Sequence, residues 1–388
     1  MISNLPVELI KQVFSWLPVR RVLLYKRLSK RISFCLSDAH FAVLLFAKLC
    51  LNSKEKAIAR FGSFDETDLA WLWLATFPSE LQTAFVDLVW RDVEVLVLYN
   101  YDREAQGKQV TIPSAVSLLP NLRQLQLHGL GLIGPIPSSL KKLDNLIQLD
   151  LSKNKLDGPF PAEICSLVNL QELNLSENSL TGRIPLTIAS LVSIKSLLLN
   201  GNKLAGNIPT PLWSLESLEV VNLADNNFGG GIPEQVGQLK NLTLLNLSGN
   251  NLGGFLPASI DELRNLRFLD LGNNCFYGPI PPLESLSSLE SLALFDNNFS
   301  GSLPILTGLV NLKVLNLVNN SLTGLIPQQL GDLVNLNVLA LSHNRFSGRI
   351  PSELARLEGL QGLYLNNNQL DAEVPVEILE LTSRCCVL

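Results

Sequence analysis

The apolar residues of this chain recur with a fixed period over most of its length. A leading Leu or Ile begins each unit, and two further apolar residues, nearly always Leu, follow at the third and fifth positions after it. The leading residues are Leu122, Leu146, Leu170, Ile194, Leu218, Leu242, Leu266, Leu289, Leu312, Leu336 and Leu360. They lie 24 residues apart, except for two intervals of 23. This period predicts a repeat array in which each unit forms one coil of a solenoid.

Each unit predicts a short strand that ends at a turn. In the unit from Leu170, alternation along the strand points Leu173 and Leu175 inward and their neighbours toward solvent. An Asn ends the strand in ten units, and its amide can donate and accept hydrogen bonds at once. These residues are Asn154, Asn178, Asn202, Asn226, Asn250, Asn274, Asn297, Asn320, Asn344 and Asn368. We expect them to form a buried ladder that satisfies turn carbonyls and amides along the stack.

The second half of the units follows the pattern Leu-x-Gly-x-Ile-Pro, and the last unit has Ala372 in place of the Gly. The Gly permits a tight bend or a positive φ, and the Ile-Pro step favours an extended chain. Residues 122–381, with these eleven units, closely resemble the plant-type leucine-rich repeat. The resemblance implies an α/β solenoid, a right-handed superhelix with a parallel sheet on its concave face and short 3-10 segments on its convex face. A degenerate first coil over residues 93–121 is expected to begin the stack.

Residues 1–50 follow a different pattern, with dense apolar spacing and basic residues between. Helical spacing accounts for Leu9, Val13, Phe14 and Leu17, and Pro18 ends that helix. The segment resembles an F-box, a small all-α module that docks on the adaptor subunit of cullin–RING ubiquitin ligases. The residues that the resemblance assigns to adaptor binding are Leu5, Pro6, Leu9, Ile10, Phe14 and Leu17.

Two departures from the F-box pattern keep an alternative open. Arg21 stands where an acidic residue is common in the family, and Ile32 stands where a Trp is often found. The alternative is a plain helical cap that covers the first coil. Residues 51–92 are predicted to form a helical joint between this module and the solenoid.

Composition and charge exclude several classes of function. Apolar residues make up 47% and charged residues 17%, so the chain is not disordered, and its net charge of −5 gives no basic field for nucleic acid. Six widely spread cysteines predict neither a disulfide framework nor a zinc site. Secreted members of the plant-type leucine-rich-repeat family have paired cysteines in an N-terminal cap. Residues 51–164 of this chain contain no cysteine. Together with the lack of a signal peptide or membrane span, this predicts an intracellular, cytoplasmic location.

The last seven residues, 382–388, form a CaaX-like tail. Cys385-Cys386-Val387-Leu388 fits the prenylation pattern, and the terminal Leu favours a geranylgeranyl group on Cys385. Membrane association is expected only if that lipid is added. The alternative is that Val387 and Leu388 cover the open end of the last coil.

The sequence favours a binding protein over an enzyme. The three histidines, His40, His128 and His343, lie in separate elements, and no phosphate loop, nucleophile elbow or metal pattern is found. We therefore expect no catalytic residues, metal or other cofactor.

Late units carry apolar residues where most units keep an outward polar pair, such as Asp150 with Ser152. The predicted target-binding residues are Phe268, Phe295, Val314, Val318, Val338 and Tyr364. Such a stripe on adjacent strands favours a protein partner. One hypothesis is a ubiquitin-ligase substrate receptor, monomeric outside the complex, that binds an unknown target. The other is a ligase-independent scaffold or inhibitor, membrane-tethered if the lipid is added, in which the N-terminal helices serve only as a cap.

Overall fold

The computed structural model describes residues 92–98, 110–382 and 386–387. They belong to two compact units that divide between Leu156 and Asp157. The predicted F-box module, nearly all of the predicted joint and Cys385 lie outside the described residues. In both units the chain forms parallel strands joined by turns and 3-10 segments, which confirms the solenoid fold class predicted from the repeat.

The first unit contains three coils. Its main strands pair in parallel in the order Val95–Leu98, Gln124–Leu127 and Gln148–Asp150. The register aligns Leu96 with Leu125 and Leu125 with Leu149, so inward residues of successive coils stack on one another. A second pair of short strands is Ile133–Gly134 with Lys155–Leu156, and the 3-10 helices are Ser114–Leu118 and Ser138–Lys142.

The second unit contains ten strands of the same kind. They are Glu172–Asn174, Ser196–Leu198, Val220–Asn222, Leu244–Asn246, Phe268–Asp270, Ser291–Ala293, Val314–Asn316, Val338–Ala340, Gly362–Tyr364 and Cys386–Val387. Each pairs in parallel with the next, and the central residue of each three-residue strand is buried. The last strand pairs Cys386 with Gly362, so part of the CaaX-like tail continues this sheet.

A second row of parallel strands follows the ladder Asn of each coil. In the second unit its members are Thr181–Gly182, Lys203–Asn207, Asn227–Gly230, Asn251–Gly254, Cys275–Gly278, Asn298–Ser302, Ser321–Gly324, Arg345–Gly348 and Gln369–Leu370. The sequence predicted only a bend here. These segments have no regular apolar alternation, and the hydrogen bonds between stacked coils order them.

The outer segments depend on coil length. The 3-10 helices of the second unit are Ala162–Ser166, Leu186–Ser190, Thr210–Ser214, Glu234–Gln238, Ala258–Glu262, Gln328–Asp332 and Ser352–Arg356. The coils that start at Leu266 and Leu289 contain no 3-10 helix, and these are the two coils of 23 residues. With one residue fewer, each of these two coils forms its outer side from turns and no 3-10 helix. In the last coil an α-helix, Val376–Thr382, replaces the 3-10 helix.

The ladder Asn residues bind the backbone of two successive coils. The Asn250 Oδ1 atom accepts a hydrogen bond of 3.0 Å from the backbone N–H of Phe228 in the preceding coil. Its Nδ2 atom donates to the carbonyl oxygens of Leu223 at 3.0 Å and Leu247 at 3.1 Å. The predicted role of these amides, donating and accepting at once, is therefore seen directly.

Left-handed backbone occurs at two places in the coil. The Gly of the Leu-x-Gly segment has a positive φ, as in Gly254 with φ of 91°. The residue before each ladder Asn also has a positive φ, which the sequence analysis did not predict, as in Asp225 at 52° and Asn273 at 52°. Gly, Asn and Asp tolerate this conformation better than most residues do, and they hold most of these positions.

Candidate functional site

The ten-strand sheet that begins at Glu172–Asn174 is called here the main sheet. Its register lines up outward side chains in columns that cross the strands. One column, called here the apolar column, occupies six consecutive strands of the second unit. Its members are Val220, Leu244, Phe268, Ser291, Val314 and Val338. Ser291 is its one polar member, and Phe268 is 40% exposed. At about 4.8 Å per strand the column is about 24 Å long.

The apolar column contains three predicted target-binding residues and two that were missed. Phe268, Val314 and Val338 were predicted, whereas Val220 and Leu244 were not. A signal for both existed in the sequence, because they occupy the same position of the repeat as Phe268. The apolar surface therefore begins two coils earlier than predicted.

The remaining predicted residues lie beside this column. Phe295 and Val318 follow the ends of their strands, and the Phe295 ring fills the space that a side chain at Gly272 would need. Tyr364 folds back over its own strand, where a Cβ atom added to Gly362 would lie 2.7 Å from the Tyr364 Cε2 atom. Because Gly362 pairs with Val338, this ring adds an aromatic surface at the end of the apolar column.

Outward polar residues at the ends of several strands have a structural role. The Oδ1 atom of Asn246 accepts a 3.0 Å hydrogen bond from the N–H of Ser248, and Asp270 does the same for Gly272 at 3.0 Å. Asp150 and Ser152 form the same turn in the first unit, at 2.9 Å. These side chains hold the strand ends, so they are poor controls for a binding experiment.

Charged groups are distributed unequally on the two sides of the apolar column. Before it along the strands, cations are paired with carboxylates. Lys195 lies 3.2 Å from Glu219, and Glu290 binds both Lys313, at 2.8 Å, and Arg267. Hydrogen bonds from Lys313 and Arg267 lower the pKa of the Glu290 carboxyl.

Three carboxylates stand after the column and are called here the acidic row. Asp270 ends its strand, two residues after Phe268, whereas Asp225 and Asp296 lie five residues after Val220 and Ser291, at the positive-φ turn that follows the strand. In the described part of the chain, no Lys or Arg lies within ion-pair distance of these three side chains. Burial raises the pKa of the Asp270 carboxyl, and the negative charge of Asp225 acts in the same direction. Hydrogen bonds from Gly272 and Ser248 oppose this shift.

Replacing Asp270 with Asn is expected to stabilise the protein at neutral pH. An acid whose pKa is raised by folding stabilises the fold below its unfolded pKa and loses that contribution as the pH rises through its folded value. At pH 7 the variant should gain less than about 1 kcal/mol in free energy of unfolding, because solvent screens a half-buried charge. Urea unfolding should show no difference below about pH 3, where Asp270 is neutral. Equal free energies of unfolding for the two proteins at pH 7 would contradict the inferred rise in the pKa of Asp270.

The two histidines of the described residues contact neighbouring polar side chains. His128 Nδ1 is 2.8 Å from Ser152 Oγ, and His343 contacts Asn367. The thiols of Cys165, which is buried, and Cys275, which is exposed, are both unpaired. Among residues 92–98 and 110–382, no cluster of His, Cys, Asp and Glu is arranged to hold a metal ion. Nor does this part of the chain contain a helix with the length and apolar character needed to cross a bilayer.

Stacked coils with an outward-facing parallel sheet define a repeat protein of the solenoid class. Leucine-rich-repeat models match residues 145–167, 169–191, 211–276 and 306–370. A leucine-rich-repeat protein of Leptospira interrogans is 30% identical, with 86% of each chain covered and a TM-score of 0.59. The chain belongs to the leucine-rich-repeat family. A comparison with curated proteins finds no match.

Plant receptors are also similar to this chain. The plant peptide hormone receptor RGFR1, solved in complex with RGF2, is 32% identical, with 80% of this chain and 49% of the receptor covered and a TM-score of 0.70. The Arabidopsis receptor kinase HAESA ectodomain, solved with an IDA peptide hormone ligand, is 29% identical, with 79% and 58% covered and a TM-score of 0.57. The chain thus spans about half the length of these receptor chains.

Proposed function

We propose that the chain is a binding protein, not an enzyme, and that the outward face of its main sheet captures a segment of another protein. The observation that carries this proposal is the apolar column, because a contiguous apolar surface usually marks a partner site. The RGFR1 and HAESA solenoids were solved with peptide hormones, which supports peptide or protein capture by this fold. The test is whether target capture from the native cell depends on Phe268 and Phe295.

We further propose that the captured protein is a substrate of a cullin–RING ubiquitin ligase. The support is the F-box resemblance of residues 1–50, which would bind the adaptor while the sheet holds the target. A ligase-independent scaffold or inhibitor is the second candidate. It is favoured by Arg21 and Ile32, the two departures from the F-box pattern.

Co-purification of the adaptor separates these two candidates. Replacing both Pro6 and Leu9 with Ala should reduce adaptor recovery by about thirtyfold or more, because truncating an interface anchor weakens binding by more than about 1 kcal/mol. Lys11→Ala with Lys26→Ala is the control, since these basic residues lie outside the predicted contact set. Undiminished recovery with the Pro6 and Leu9 variant, at an unchanged melting temperature, would leave the scaffold as the better proposal.

We also propose an intracellular location, which the unpaired thiols of Cys165 and Cys275 support because reducing compartments keep thiols free. Lipidation of Cys385 stays a prediction. The pairing of Cys386 and Val387 with the sheet favours the alternative, in which the tail covers the edge of the last coil.

A further inference from the structure

We infer that the segment bound on the main sheet is an extended chain with Lys or Arg beside its apolar residues, and that these cations face the acidic row. This inference rests on the proposed function, that the outward face captures a protein segment. It adds the chemical class of the partner, which the apolar column alone leaves undefined.

The first argument is charge complementarity. The cations on one side of the apolar column already have carboxylate partners, as in the pairs Lys195–Glu219 and Lys313–Glu290. The acidic row on the other side has no such partner among the described residues. A ligand on the column therefore meets an uncompensated negative side, and complementary potentials decide which partner binds.

The second argument is that the fold does not require these carboxylates. Asn stands at the position of Asp270 in the neighbouring coils, as Asn222 and Asn246, and makes the same turn. At the position of Asp225 and Asp296, other coils have Asn273, Asn319 and Asn367, with φ of 52–57° against 51–52° for the two acids. An amide would serve the backbone equally well. The Asp296 Oδ1 atom also accepts a 2.6 Å hydrogen bond from the Asn319 Nδ2 atom, and an amide oxygen in its place could accept that bond too, so the coil does not require the negative charges.

The burial of Asp270 strengthens this argument. Its carboxyl is taken partly out of water beside another acid, which disfavours the charged form in the free protein. A bound Lys or Arg would reverse this, because an opposite charge at a few ångströms favours ionisation. Groups held in such an unfavourable state are more common at functional sites than elsewhere.

The dimensions favour an extended chain. The apolar column is one side chain wide and about 24 Å long, which about seven residues of extended chain would span. A helix is about 10 Å across, so it would also cover the ion pairs on the other side. Asp270 lies two residues along its strand from Phe268, a distance of about 7 Å that a Lys or Arg side chain can bridge.

A display library of random peptides of about seven residues, panned on the full chain, tests the inference. Selected peptides should combine apolar residues with Lys or Arg. Replacing Asp225, Asp270 and Asp296 with Asn should weaken a selected peptide by about tenfold or more, as expected for lost charge-assisted bonds. The matched control removes three exposed outer carboxylates, by Glu163→Gln, Glu216→Gln and Glu358→Gln, and should leave affinity unchanged.

Failure of this inference and failure of the proposed function give different results. Selection of uncharged or acidic peptides that still require Phe268, with the triple Asn variant binding normally, overturns the cationic ligand alone. If no peptide is selected, or if binding is indifferent to both Phe268→Ser and the triple variant, the inference and the proposed binding face are both wrong. Because other coils have Asn at the same positions of the repeat, the triple variant should fold. Its melting temperature tests this.

Discussion

Replacing Asn250 with Ala is expected to lower the free energy of unfolding by about 3 kcal/mol or more. The side chain satisfies the N–H of Phe228 and carbonyl oxygens of Leu223 and Leu247, all inside the stack. Each buried backbone group left without a partner destabilises the fold by about 1–3 kcal/mol. Thermal unfolding should show a fall of several degrees in melting temperature.

The neighbouring residue provides the control. Asn251 is exposed, and the same change from Asn to Ala there should shift the melting temperature by no more than a degree or so, about 0.5 kcal/mol. Asn250→Asp adds a second test, because it keeps an acceptor for Phe228 but directs negative charge at carbonyl oxygens. It should fail to restore stability. Equal melting of the Asn250 and Asn251 Ala variants would show that the ladder contributes nothing.

The parts of the fold that repeat in sequence were predictable. Inward residues such as Leu245 and the ladder Asn250 recur at fixed positions, and their burial follows from strand alternation and amide chemistry. The second row of strands was not predictable in this way. A segment such as Asn227–Gly230 has little strand propensity of its own, and it becomes a strand because stacked coils present backbone groups in register.

The candidate site was predictable only where one position of the repeat is compared across all coils. That comparison finds Val220 and Leu244 as readily as Phe268. The directions of the Phe295 and Tyr364 rings were not predictable, because each depends on the empty space above a Gly, at Gly272 and Gly362. The acidic row was missed for another reason. Its importance depends on the missing cation partners, and ion pairing between coils is a property of the folded chain.

Changing Phe268 and Phe295 together to Ser is expected to abolish capture of the target. Buried aromatic residues carry much of the binding energy of protein interfaces, at about 2 kcal/mol or more for each anchor. Loss of both should reduce affinity by more than about a hundredfold. The measurement is recovery of the target from the native cell, followed by titration with the purified target.

The double Ser variant should keep its fold, because the repeat already uses Ser at both positions. Ser291 occupies the strand position of Phe268, and Ser248 the position of Phe295. Neither ring belongs to the core, so we expect the melting temperature to change little. Loss of capture in a folded variant would therefore reflect loss of contact with the target.

The matched control removes apolar surface of the same kind elsewhere. Val192 and Val310 are 61% and 53% exposed, and both lie in the turns before a leading residue, where Ser287 stands in another coil. Val192→Ser with Val310→Ser should leave capture intact, because these side chains lie outside the apolar column. If this pair removes the target while Phe268→Ser with Phe295→Ser does not, the outer turns form the binding surface. The main sheet would then serve only to hold the coils together.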